Sequence, residues 1–333
     1  MRGWRRSGVR LLGSVVILPL VLLLVSCKAA DPQNTLLGTH GHVAADIAKL
    51  SWGVFWAAAV VFVLVEGMLL YILVRYRDRG DRELPVQVHG HTKLEITWTI
   101  VPTLLLAGVA VPTLFTLIHI DTIPKDSMTI NVTAHQWWWE FQYPDGKFTT
   151  ADEMHIPVNR NIHLILHSND VIHGFWVPKL AGKTEVIPNH DNEMWIDATE
   201  ANTYSAQCTE FCGEEHALMR FEVIAQPQAE FNSWMVGQQA QAADLGHPGA
   251  QTFLKGPCVA CHAIGGTAAV GNVGPNLTHF ASRAWFEEMD NNPDDVAKWL
   301  HNPQAVKPGN LMPNYNLSDQ DIQSLVGFLE GLK

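Results

Sequence analysis

The stretch 207-QCTEFCGEEHALMR-220 sets two cysteines, a histidine and a methionine at successive offsets of four, four and three residues. On an α-helix, Cys208, Cys212, His216 and Met219 would lie along one face. Gly213 interrupts such a helix, and the flanking residues read as strand. In an oxidising compartment the two thiols could instead pair as a disulfide. A third reading is a metal site: two thiolates, an imidazole and a thioether are soft donors that suit copper, and a methionine is a poor choice for zinc. That site lacks a second nitrogen, and "NDVIHGFWVP" offers one at His173, thirty-five residues before Cys208.

Around this stretch, residues 125–228 carry an all-β pattern. "SMTINVTA", "RNIHLILHS", "NEMWIDA" and "MRFEVIAQ" are short runs rich in β-branched and aromatic residues, punctuated by Pro, Gly, Asn and Asp. Several such strands in about a hundred residues predict a sandwich or barrel. Residues 229–250 read as a linker, with its centre in the Gln-, Ala- and Gly-rich "GQQAQAADLGHPGAQ". The remainder, 251–333, is helical in pattern. "DDVAKWLHN" predicts one short helix. Ser318 opens another as N-cap, with Ile322, Leu325, Val326 and Leu329 on one face.

The N-terminal third reads as membrane-associated. Four arginines precede the apolar run "LLGSVVILPLVLLLV" and then Ser26-Cys27, a signal peptide over 1–26 with "LVSC" as a lipoprotein-type cleavage box. Cys27 is then the lipidated first residue of a mature chain whose segment 27–124 carries two spans, about 52–74 and 96–120. Pro102 and Pro112 are tolerable inside the second. The loop between the spans holds Arg75, Arg77, Arg79, Arg82 and Lys93, whereas the 35 residues after residue 120 hold only Lys125 and Lys147. The positive-inside rule puts the loop in the cytoplasm and everything after the second span outside, the side a lipidated Cys27 also requires. Glu66 lies within the first span, costly in lipid and so directed at another subunit or a cavity. The chain is acidic, 33 Asp and Glu against 22 Lys and Arg, which argues against a nucleic-acid partner and accords with a basic protein partner.

Cys258, Cys261 and His262 form "CVACH", the C-x-x-C-H of covalent haem attachment, in which two thiols add to the porphyrin and the histidine ligates iron. Met312, in the Gly- and Pro-rich "KPGNLMPNY", supplies a sixth ligand suited to electron transfer. Met289, in the acidic "FEEMDNNPDD", ranks below it. These residues predict an all-α class I cytochrome c domain.

His173, Cys208, Glu210, Cys212, His216 and Met219 together resemble, position for position, the dinuclear copper (CuA) signature of subunit II of haem–copper cytochrome c oxidases. The resemblance extends through "EITWTIVP", "HQWWWEFQYP" and "DVIHGFWVPKLAGKTEVIPN". With the fused "CVACH" domain, the chain resembles the caa-type subunit II of bacteria. That family implies a multidomain membrane protein with a two-helix transmembrane hairpin, a cupredoxin-like copper domain and a cytochrome c domain. It implies that the thiolates of Cys208 and Cys212 bridge two coppers, that His173 and His216 each bind one, and that Met219 and the Glu210 carbonyl are axial ligands. Glu210 would also touch a magnesium site shared with subunit I. Trp137, first of the three tryptophans, would be exposed near the copper and receive the electron, leaving Trp138 and Trp139 to packing. Glu95 would stand at the mouth of a proton channel, its alternative being an interfacial charge. The implied function is electron input to a proton-pumping terminal oxidase, from haem c to CuA to haem a of subunit I, where oxygen is reduced. The implied partners are subunits I and III, membrane lipid, and a cytochrome c or quinol–cytochrome c reductase as donor. The implied location is the bacterial cell membrane, with both domains on its outer face. Two alternatives are a free-standing membrane-tethered electron carrier and a CuA subunit of a nitric oxide reductase. His135, His155, His163 and His167 follow no ligand pattern and are read as surface or core histidines.

Overall fold

A computed structural model describes residues 38–77, 87–242 and 245–333. The signal segment, Cys27, Arg79 and Arg82 lie outside the described residues. Two long apolar helices come first, α1 (His42–Arg75) and α2 (Thr92–Asp121), each long and apolar enough to cross a bilayer. Glu66 is exposed on α1. The two prolines sit inside α2 without ending it. The first turns of α1 belong to the next domain: Val43, Ala44 and Ala48 are buried there. His42 clamps that end, its backbone N–H donating to Asp197 Oδ1 at 2.8 Å and its Nδ1 meeting Oδ2 at 2.5 Å.

Ten strands follow: β1 (Met128–His135), β2 (Trp138–Tyr143), β3 (Phe148–Ala151), β4 (Glu153–Pro157), β5 (Ile162–Ser168), β6 (His173–Trp176), β7 (Thr184–Val186), β8 (Asn192–Ile196), β9 (Asn202–Cys208) and β10 (Arg220–Gln226). They form two five-stranded sheets, ordered β3-β2-β1-β5-β8 and β4-β10-β9-β6-β7. The pairs β1·β5 and β4·β10 are parallel and the others antiparallel. The period-2 rule assigns the faces. Along β5, Ile162, Leu164 and Leu166 are buried, while His163 and His167 point outward to Glu193 and Asp191, each at 2.9 Å. The four strands predicted from β-branched runs are β1, β5, β8 and β10. Between the sheets, Phe221 packs on Phe175, Trp139 and Phe141 at ring distances of 4.8, 5.2 and 5.5 Å.

The stretch read as linker starts instead as a helix, α3 (Gln228–Gln238). Phe231 and Trp234 explain it: Phe231 is buried, and Trp234 stacks on His155 at 4.1 Å and meets Tyr143 edge-on at 5.1 Å. This apolar pair outweighs the polar residues around it. The C-terminal domain comprises α4 (Pro248–Lys255), a small hairpin of β11 (Trp285–Phe286) and β12 (Met289–Asp290), then α5 (Pro293–His301), α6 (Pro303–Val306) and α7 (Asp319–Leu329). Ser318 caps α7, its Oγ accepting from Asp321 N at 3.1 Å. The core joins Phe253, Phe280, Phe286, Ile322, Leu325 and Phe328. This domain sits directly on the β domain.

Candidate metal centres

The opening stretch is not a helix. Cys208 ends β9, Met219 immediately precedes β10, and Cys212 and His216 occupy the loop and 3-10 turn that join the two strands. A loop brings the donors together because its ends are fixed by the β9–β10 ladder, in which Gln207 pairs Arg220. The neighbouring register, Phe175 opposite Cys208, sets His173 beside this loop. Gly174 is required there, since a Cβ would lie 2.4 Å from Thr209 Oγ1 and 2.9 Å from Glu210 N.

Around Cys208 and Cys212 the donors converge. The two sulfurs are 3.8 Å apart, both thiols are free, and a disulfide would need about 2.05 Å. His173 Nδ1 lies 3.9 Å from Cys208 Sγ. His216 Nδ1 and Met219 Sδ lie 3.6 and 3.7 Å from Cys212 Sγ. The Glu210 carbonyl is 3.3 Å from Cys208 Sγ. Two soft sulfurs 3.8 Å apart, with an imidazole and a carbonyl beside one and an imidazole and a thioether beside the other, fit copper. All six residues expected from the sequence therefore meet here.

The electrostatics favour ligation. A hydrogen bond from Cys212 holds Cys208 well below the usual thiol range, against the opposing effect of burial, while the same interaction pushes Cys212 up. Burial lowers the His173 pKa, but Asp170 and Cys208 outweigh it and the net shift is upward. Asp170 Oδ1 sits 2.7 Å from His173 Nε2, so that nitrogen carries the proton and Nδ1 keeps its lone pair toward the sulfurs. Asp170 was not foreseen from the sequence, although it stands only three residues before His173. The Glu210 side chain borders a separate polar cavity with Asp121, Lys183 and Glu185.

A second site lies in the C-terminal domain. Cys258, Cys261, His262 and Met312 line one largely apolar cavity with Phe253, Leu277, Phe280 and Leu300. His262 Nδ1 donates to the Pro275 carbonyl at 2.8 Å, and burial lowers its pKa, leaving Nε2 as a neutral donor. Met312 is held in place through Met312 N to Asn310 Oδ1 at 2.8 Å and Trp299 Nε1 to its Sδ at 3.1 Å. Met289 pairs with Phe286 in the hairpin and does not line the cavity. Two thiols, a neutral imidazole and a thioether around an apolar space fit a covalently held haem. The Pro275 carbonyl had no sequence signal, because any residue carries one.

Trp137 departs from expectation in its exposure. It is buried, 8% exposed, because the C-terminal domain covers it: its ring lines the haem-type cavity and Lys307 Nζ donates to its carbonyl at 2.7 Å. On its other side, Trp137 Nε1 donates to the Cys212 carbonyl at 3.1 Å. Trp139 is core, and Trp138 stacks on His135 at 4.2 Å. Glu95 lies apart from both centres, exposed in the first turn of α2, where Oε1 accepts from His91 N at 3.1 Å.

Residues 38–116 match the family described as the transmembrane domain of cytochrome c oxidase subunit II, 147–226 its periplasmic domain, and 247–333 cytochrome c. Cytochrome c oxidase subunit 2 of Alkalihalophilus pseudofirmus is 39% identical over 288 residues, covering 83% of this chain and 84% of that one. The subunit 2 of Bacillus subtilis is 33% identical, covering 96% and 97%. Among solved structures, the periplasmic domain of subunit II of cytochrome oxidase of Bradyrhizobium japonicum is 34% identical, covering 35% of this chain and 97% of that one with a TM-score of 0.35.

Proposed function

Because this chain belongs to the cytochrome c oxidase subunit II family, a component of an oxidoreductase complex, we propose that it is the electron-input subunit of a haem–copper terminal oxidase. The observation that carries this reading is the position of Trp137, which lines the cavity of Cys258, Cys261, His262 and Met312 and hydrogen-bonds the Cys212 carbonyl at 3.1 Å. When bound, a covalent haem c and a dinuclear copper centre would supply one-electron chemistry, the acceptor in this reading being haem a of subunit I, the site of oxygen reduction coupled to proton pumping.

The chain's own residues hold, orient and shield. Cys208 and Cys212 with their thiolates, His173 and His216 with one nitrogen each, and Met219 and the Glu210 carbonyl as weaker donors would hold the copper. Cys258 and Cys261 would hold the porphyrin covalently, and His262 and Met312 would supply donors to its iron. Asp170 fixes the His173 tautomer. Burial of Cys208, Cys212 and Met219 excludes water from the copper site, and the Trp139–Phe175–Phe221 cluster behind it resists movement. Trp137 receives the electron on the copper domain. Glu210 contributes to a magnesium site at the boundary with subunit I, its polar cavity with Asp121 and Glu185 supporting that role. Glu95 stands beside a proton-channel mouth in addition to capping its helix. Subunit III and a cytochrome c or quinol–cytochrome c reductase complete the partners. The reading is completed by a signal peptide over 1–26, an anchor over 27–124, a copper domain over 125–228 and a haem domain over 251–333, with both centres outside a bacterial cell membrane.

Metal analysis of the purified full chain tests this directly. Two coppers and one covalent haem per chain are expected. Cys208→Ser should abolish the thiolate-to-copper absorption bands and leave the haem spectrum intact. Zinc in place of copper, or a Cys208–Cys212 disulfide in the metal-loaded protein, would overturn the reading.

A further inference from the structure

The contact between the two outer domains has an unusual chemistry. The tip of the β11–β12 hairpin is Glu287-Glu288, and both residues have left-handed backbone, with φ of 48° and 63°. A two-residue hairpin turn of this kind is ordinarily filled by Asn-Gly or Gly-Gly, which adopt positive φ readily. Two glutamates are poor choices for the backbone, so their presence points to the side chains. Each carboxylate meets a cation at the domain boundary. Glu288 Oε2 lies 2.5 Å from Arg220 Nη2, at the start of β10 in the copper domain. Glu287 Oε2 lies 2.7 Å from Lys307 Nζ. Lys307, with its side chain only 5% exposed, also donates from Nζ to the Trp137 carbonyl across the boundary.

Two further contacts fix the same register. Ala284 N, just before β11, donates to Glu153 Oε1 of β4 at 2.8 Å. Gly309, with φ of 78°, packs against the Trp137 ring, where a Cβ would lie 3.3 Å from Cη2. Arg220 and Trp137 flank the copper loop, while Lys307 and Gly309 lie on the chain segment that carries Met312. The contacts thus grip the two centres from the sides that face each other.

We propose that Glu287, Glu288 and Lys307 form a charged latch that seats the haem domain over Trp137 and closes that surface to any external donor. A buried ion pair contributes little net stability compared with apolar packing, but it selects one geometry, because any other leaves a charge without its partner. An undocked haem domain would lose the Lys307–Trp137 contact and separate Glu288 from Arg220. A docked one can sit in a single register, with the Met312 segment against Trp137. The function of the latch in electron transfer rests on the proposed role of Trp137; the latch itself does not.

Hydrogen exchange on the full chain in detergent or nanodiscs reads the latch without reference to turnover. The Ala284 amide is protected by Glu153 only while the domains are docked, whereas the amides of α7 report the integrity of the haem domain alone. Lys307→Met, which strands Glu287, should speed exchange at Ala284 roughly a hundredfold and leave α7 unchanged. Arg220→Glu, at a half-exposed position, should speed it about tenfold. The double reversal Arg220→Glu/Glu288→Arg should restore protection to within about twofold of the parent. Single-turnover haem-to-copper transfer, independent of solvent viscosity in the parent, should become viscosity-dependent in the two single variants and independent again in the double reversal. Unchanged Ala284 protection in both single variants, or failure of the double reversal to restore it, overturns the latch. Should Trp137→Leu transfer at the parent rate while the latch variants open the boundary, the latch stands and the assignment of Trp137 falls.

Discussion

Asp170 beside the candidate copper site and Asp152 at the domain boundary show what single carboxylates decide. Asp170 holds the His173 Nε2–H at 2.7 Å, and removing such an outer partner typically weakens metal affinity 10–100-fold. Asp170→Ala should therefore lower copper affinity by about that factor, measured by competition with a chelator, and leave the haem content unchanged. Asp152 is buried at the domain boundary, where Oδ1 accepts from Trp139 N at 2.8 Å. Burial, then the Glu287 charge, pushes its pKa up to about 7, against the pull of Trp139 N–H, Lys307 and Arg283. A raised carboxyl pKa means the folded chain holds a proton that the unfolded chain has lost. The resulting stabilisation is full below about pH 4 and disappears as pH rises through about 7. Asp152→Asn keeps the acceptor for Trp139 and removes the titration. Its melting temperature should vary less between pH 5 and 8 than the parent's and exceed the parent's at pH 8.

At the level of elements, the residues that resisted reading from sequence share one property: a neighbour distant in the chain decides them. Strands β1, β5, β8 and β10 follow from alternation, and α5 and α7 from capping and helical period. β4 is buried along its whole length, Glu153 and His155 included, so no alternation marks it. β9, "NTYSAQC", alternates with Tyr204, Ala206 and Cys208 inward, but only Tyr204 is large, so the pattern is faint and pairing with β10 secures the strand. Helix α3 hid among glutamines and shows only through Phe231 and Trp234. Trp234→Ala should cost about 2–3 kcal/mol, below the roughly 3–5 kcal/mol of a fully buried large aromatic because the ring is only partly buried. Chemical denaturation followed by circular dichroism checks it, with the haem spectrum as a control for the C-terminal domain. The candidate copper ligands were legible because five of the six fall within the twelve residues 208–219 and the chemistry of the set is specific. The burial of Trp137 was not, since Lys307, which covers it, lies 170 residues further on.

Over the whole molecule, α1 joins lipid to protein in one uninterrupted rod. Its 34 residues span about 51 Å at 1.5 Å per residue, against a hydrocarbon thickness of about 30 Å. The excess ends inside the β domain, where Val43, Ala44 and Ala48 are buried and His42 is held by Asp197. Height and azimuth of the copper centre are thereby set by the length of this helix. One added residue between Leu50 and Trp52 would raise the domain by about 1.5 Å and turn it by about 100°, swinging the Cys208–Cys212 loop away from whatever it faces at the membrane. Only insertions close to whole turns return it to the same bearing. The length of α1 is thus constrained in phase as well as in reach, much as a keyed shaft fixes the angle of the wheel it carries.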